Sequence, residues 1–153
     1  MCTFNSHANF SIFASFWDGL LFYSQNGVLC SIDKVLREIK EGKDALKSWA
    51  ENDFIDYFFS TKKENVIQAY SSIVPWVQNQ SQYNQLAKDT FMDEDNADTW
   101  VLAFALANEL TIVTHEVFDP NIKKRIPIPN VCLEFDIDYC DTFEMLRRLQ
   151  FSF

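Results

Sequence analysis

Apolar residues fall at helical spacing through most of this chain and bunch into short β-branched runs at a few places. Phe13, Phe16, Trp17, Leu20 and Leu21 share one face of a helix predicted over Phe10 to Tyr23, which Asn26-Gly27 ends. Val28-Leu29-Cys30 reads as a short buried strand, and Ser31 is placed to cap a helix with Val35, Leu36 and Ile39 on its apolar side. Gly42 closes that helix. Asp44 is placed to cap a helix through Leu46 and Trp49, and the aromatic segment Asp53 to Ser60 fits a short strand or turn. A longer helix runs from Glu64 through Val66, Ile67, Tyr70, Ile73 and Val77. Pro75 should bend or end it, because proline removes a backbone donor. Ser81 to Met92 reads as another helix.

The next segment is apolar on all sides from Thr99 to Asn108, which predicts a buried helix, and Leu110-Thr111-Ile112-Val113 reads as a fully buried strand. That strand ends in Thr114-His115-Glu116. Two prolines in Ile126-Pro127-Ile128-Pro129 forbid a central strand, and Val131 to Phe135 fits a short helix or turn. Asp141-Thr142-Phe143-Glu144 carries a capping pattern for a last helix through Met145, Leu146 and Leu149. Strands alternating with helices in this order predict an α/β layer arrangement.

Composition narrows the picture. The 153 residues are 48% hydrophobic and 16% aromatic, with fifteen phenylalanines against three glycines, so the pattern describes one densely packed domain over 1–153. The longest apolar runs fall far short of the roughly 20 residues that span a bilayer, and no charged leader precedes an apolar signal core. The expectation is a soluble cytoplasmic protein with no membrane partner. A net charge of −9 opposes a general nucleic-acid coat but not a local basic groove, for which Lys123-Lys124-Arg125 and Arg147-Arg148 are the candidates. Cys2, Cys30, Cys132 and Cys140 form no Cys-x-x-Cys pair, and only His7 and His115 could complete a zinc set, so free thiols are expected. No Gly-rich phosphate loop, Gly-x-Ser-x-Gly elbow or Cys–His nucleophile pair is present.

The candidate chemistry lies in the acids. Capping and the helix dipole account for Asp93, Glu94 and Asp95, but Asp98 stands at the mouth of a buried helix, where capping alone explains it less well. Glu116 follows a buried strand, where parallel α/β folds gather their chemistry. Glu38 sits one position from an apolar stripe, at the border between core and cleft. It can equally be a solvated helix glutamate paired with Lys34. Glu38, Asp98 and Glu116 together suit a hard divalent ion, Mg2+ or Mn2+, that takes a few carboxylates plus phosphate oxygens. A structural hydrogen-bonding role competes with that reading for each acid, and for His115 it is the favoured one.

Several segments together resemble one family. They are Phe16-Trp17-Asp18, Ser31-Ile32-Asp33-Lys34-Val35 with Glu38-Ile39, and Gly42-Lys43-Asp44-Ala45-Leu46 with Trp49. Ala97-Asp98-Thr99-Trp100, Val113-Thr114-His115-Glu116, Ile128-Pro129-Asn130-Val131-Cys132 and Thr142-Phe143-Glu144-Met145-Leu146 complete the set. The chain resembles the PIN-like nucleases, in the DUF4411 branch related to VapC-type toxins. The resemblance implies a three-layer fold with a central, mostly parallel sheet, and a metal-dependent ribonuclease of toxin–antitoxin type. Glu38, Asp98 and Glu116 would be its metal-binding and catalytic acids. RNA is then the substrate, contacted by Lys123, Lys124 and Arg125, and an antitoxin protein is the partner. That family begins with a strand ending in aspartate. Met1 lies too close to Trp17 for it to fit, so the first strand and its acid are expected to be missing. Without them activity becomes doubtful, and the second expectation is a degraded domain that binds an antitoxin or its own copies.

Overall fold

The computed structural model describes residues 14–151. The start of the first predicted helix, Cys2, His7 and the expectation of a missing first strand therefore lie outside the described residues.

Helix α1 (Ala14–Gln25) leads through Gly27, at φ 72, to strand β1 (Ser31–Ile32) and helix α2 (Asp33–Glu41). The strand thus begins after the predicted Val28–Cys30. The amides of Val28 and Leu29 both donate to the Tyr23 carbonyl (2.9 and 3.4 Å), so this stretch still closes the end of α1, and Val28 is 55% exposed. Ser31, expected as a cap, lies in the strand. Ile32 precedes α2 and makes no side-chain cap. Helix α3 (Ala45–Asn52) has the predicted Asp44 cap, whose side chain accepts from the Lys47 amide. A 3-10 turn (Ile55–Tyr57) then enters strand β2 (Phe58–Phe59), which pairs in parallel with β1.

Asp33 fastens this pair. Its carboxylate accepts from the Thr61 amide (3.1 Å) and hydroxyl (2.8 Å), and Thr61 is buried just beyond β2. Asp33→Ala leaves a buried hydroxyl and amide without that acceptor, which should cost about 1–3 kcal/mol. Urea unfolding that follows the loss of tertiary fluorescence checks this value.

Helix α4 (Glu64–Asn79) continues through Pro75 instead of ending there. The turn beyond the proline buries Val77 against the core, and that packing outweighs one missing amide. Helices α5 (Gln85–Met92) and α6 (Ala97–Asn108) follow. The centre of the molecule is α4 against α6. Val66, Ile73 and Val77 join Leu102 and the small Ala97 and Ala103 in one buried cluster, with Tyr70 stacked on Trp100 at 4.1 Å.

Strand β3 (Ile112–Val113) is shorter than predicted. The Leu110 amide closes α6 on the Ala105 carbonyl, Leu110 is 37% exposed, and Thr111 is exposed, so full burial holds for Ile112 and not for the whole run. Helix α7 (Ile128–Phe135) starts three residues before the predicted Val131, with Pro127 and Pro129 at its cap and first turn, where no amide donor is needed. Strand β4 (Tyr139–Cys140), which no sequence pattern announced, pairs in parallel with β3. Helix α8 (Thr142–Arg148) has the expected cap, Asp141 accepting from the Glu144 amide at 2.7 Å.

The described chain is therefore mixed α/β, with two separate two-stranded parallel sheets. An apolar cleft of about 700 Å3 adjoins both, lined by Phe16 and Trp17 of α1, Ile32 of β1, Phe104 of α6 and Ile112 of β3. Among the described residues no helix is long and apolar enough to cross a membrane.

Candidate acidic site

The three candidate acids come from α2, α6 and the segment after β3, and the first turn of α6 joins Glu38 to Asp98. Asn96 caps that turn by accepting from the Asp98 amide at 2.9 Å, while Ala97 and Thr99 on either side are fully buried. The Thr99 hydroxyl ties the turn to the Phe91 carbonyl. Glu38 reaches across from α2, and its Oε1 accepts from the Ala97 amide at 3.3 Å, one of the donors that a helix start leaves open. Lys34, its expected i,i+4 partner, instead donates to the Glu94 carbonyl at 2.7 Å. The neighbouring acids also serve structure, with Asp95 paired to Arg37 and Asp93 accepting from the Asp95 amide.

Asp98 is the middle member. Burial pushes its pKa above the ordinary 3.8, the charge of Glu116 pushes further, and Arg125 partly offsets both. Among the described residues, no hydrogen bond reaches its carboxylate. Glu38 is exposed as a residue, yet burial of its carboxyl raises its pKa too. The Ala97 amide opposes the shift, and the charges of Asp98 and Glu41 add to it. The charge of Glu116 thus acts on Asp98, and that of Asp98 on Glu38.

Glu116 has a different setting. Its Oε1 meets Arg125 Nη1 at 2.6 Å and its Oε2 accepts from the Ile128 amide at 2.7 Å, at the start of α7. Both oxygens are engaged. In this arrangement the described residues hold no group of three His, Cys, Asp or Glu converged closely enough to bind a metal ion. The donor chemistry does suit a hard cation, since carboxylates with raised pKa values are desolvated and repelled, and a divalent ion relieves both penalties.

Raised pKa values also set a direction for stability. A carboxyl that binds its proton more tightly folded than unfolded stabilises the fold below its ordinary pKa, and that stability is lost as pH rises through the raised value. The Tm of Asp98→Asn relative to the parent should therefore be lowest below pH 3.8, climb as pH rises above it, and level off once the raised value is passed. Melting curves in metal-free buffer measure that difference.

The other candidates divide. His115 Nε2 contacts the Thr142 hydroxyl at 2.9 Å, which ties the β3 exit to the start of α8 and agrees with the structural role favoured for it. Lys123 and Lys124 are exposed, with the Lys123 carbonyl accepting from the Asn84 amide, while Arg125 is the ionic partner of Glu116. Cys30, Cys132 and Cys140 are free thiols. Burial pushes the Cys132 thiol up to about 12, so it is inert at neutral pH.

Sequence reasoning missed Asn130. Buried in α7, it accepts from the Asp119 amide (3.1 Å) and donates to the Asp119 carbonyl (2.8 Å) and the Tyr83 hydroxyl (3.0 Å). It thereby holds the loop that carries Arg125. A buried asparagine between apolar neighbours was the available signal.

Residues 2–153, nearly the whole chain and all three acids, match the family described as a domain of unknown function, DUF4411. The chain belongs to the DUF4411 family. No curated protein and no solved structure matches it. For this DUF4411 protein the arrangement of Glu38, Asp98, Glu116 and Arg125 is thus what bears on function.

Proposed function

We propose that this DUF4411 protein is a PIN-like, Mg2+- or Mn2+-dependent ribonuclease of toxin–antitoxin type. The observation that carries the reading is Asp98, a desolvated carboxylate at a buried helix start, with charged Glu38 and Glu116 close enough to raise its pKa directly or be raised by it. A structural acceptor would be expected to hold donors, as Asp33 does. In the same reading β1–β2 and β3–β4 are two halves of one parallel sheet between helix layers.

Glu38, Asp98 and Glu116 are the residues that would hold the ion. Bound there, it would polarise a phosphodiester and acidify an attacking water. The chain's own contribution is position: α6 presents Asp98, α2 brings Glu38 against the same helix start, and the 117–127 loop carries exposed Lys123 and Lys124 and brings Arg125 to Glu116. A short single-stranded RNA incubated with MnCl2 is the direct test. Cleavage that stops on chelation supports the nuclease reading, and intact RNA at saturating Mn2+ refutes it.

The apolar cleft favours one other reading, a domain that has lost cleavage and binds an antitoxin or its own copies. A groove beside parallel strands can accept an added extended segment. A concentration-independent dimer in light scattering, together with no Mn2+ binding, would favour it over the nuclease.

A further inference from the structure

Among the described residues, Glu116 is the member of the three acids that forms an ion pair. Arg125 Nη1 stands 2.6 Å from its Oε1, and the Ile128 amide holds Oε2, so both oxygens are engaged by the 117–127 loop and the start of α7. We propose that Arg125 is an internal counter-cation of the acidic site, which a divalent ion displaces from Glu116. Displacement frees the guanidinium for a substrate phosphate. The inference rests on the nuclease reading and deepens it, because it makes metal loading and exposure of a phosphate-binding group one event.

Three features support the exchange. The pair is open to water, with the Arg125 and Glu116 side chains 56% and 25% exposed, so an ion can reach it without unfolding the loop. An exposed pair of this kind adds at most about fivefold to an equilibrium, which a doubly charged ion facing two or three carboxylates readily exceeds. The Arg125 charge also partly offsets the repulsion at Asp98. Once released, a planar guanidinium can bind phosphate through two parallel hydrogen bonds, next to exposed Lys123 and Lys124.

MnCl2 titrated calorimetrically into the full chain tests the exchange. Arg125→Gln removes the competitor and should tighten Mn2+ binding about three- to fivefold, whereas Arg125→Lys keeps a competing charge and should stay within about twofold of the parent. Unchanged or weaker binding by Arg125→Gln overturns the proposal, since an arginine that only pins the loop would act that way. No Mn2+ binding by the parent would overturn the metal site along with it, and so is distinct from failure of the exchange alone. A second measurement needs no variant: the Arg125 side-chain NH signal should lose protection from solvent exchange as Mg2+ is added. Full protection at saturating Mg2+ contradicts displacement.

Discussion

Asp98→Asn should lower Mn2+-dependent RNA cleavage by about a hundredfold or more while raising the Tm of the metal-free protein at neutral pH. The two effects have one origin. In the folded chain the Asp98 carboxyl is desolvated and repelled by Glu116, which makes its charged form unfavourable without a cation. Asparagine keeps the shape and the Asn96 cap on its backbone amide, removes the charge, and so relieves the fold. The same change deletes a carboxylate from the set that would hold the ion and stabilise the charge of an in-line displacement, for which losses of about a hundredfold or more are typical. Cleavage assays and melts on one preparation separate this from a folding defect. A defective variant loses both, whereas a site variant loses activity and gains stability.

Leu102→Ala should cost about 3–4 kcal/mol. Leu102 is 0% exposed and lies in the same buried cluster as Ile73, also 0% exposed, and Val66 of α4. Removing its isobutyl group forfeits the transfer energy and leaves a cavity that two packed helices can only partly close. For a domain of this size the Tm should fall by roughly 6–16 °C. Leu86→Ala on α5 is the control: Leu86 is 73% exposed, and its truncation should change stability by no more than about 0.5 kcal/mol. The consequence reaches function, because α6 is also the element that presents Asp98.

Local signals were the legible ones. Asp44 and Asp141 cap the helices assigned to them because a cap depends on residues three positions away, and the apolar stripes of α1, α2 and α4 mark real helices for the same reason. The strands were harder. A two-residue strand exists through its partner, as Ser31 does beside Phe58 and Ile112 beside Tyr139, and nothing within such a short run states where the partner is. Val28–Cys30 looked like a strand by composition, yet its backbone is committed to the end of α1.

The site shows the same division. Glu38, Asp98 and Glu116 were readable as candidates from their places beside apolar segments, and the fold brings Glu38 onto the amide next to Asp98. The partners of Glu116 were not readable. Arg125 and the Ile128 amide meet it only because the 117–127 loop folds back, held by Asn130 on Asp119, and a basic triplet in a sequence gives no sign that one member is an internal counter-ion.

Titration of MnCl2 into the parent chain and the Asp98→Asn variant, followed by calorimetry in chelator-treated buffer, tests the acidic site most directly. One saturable Mn2+ site in the parent, lost or weakened at least about tenfold in the variant, is the expected result. Equal binding by the two proteins, or no binding by the parent, would contradict a metal centre at Asp98.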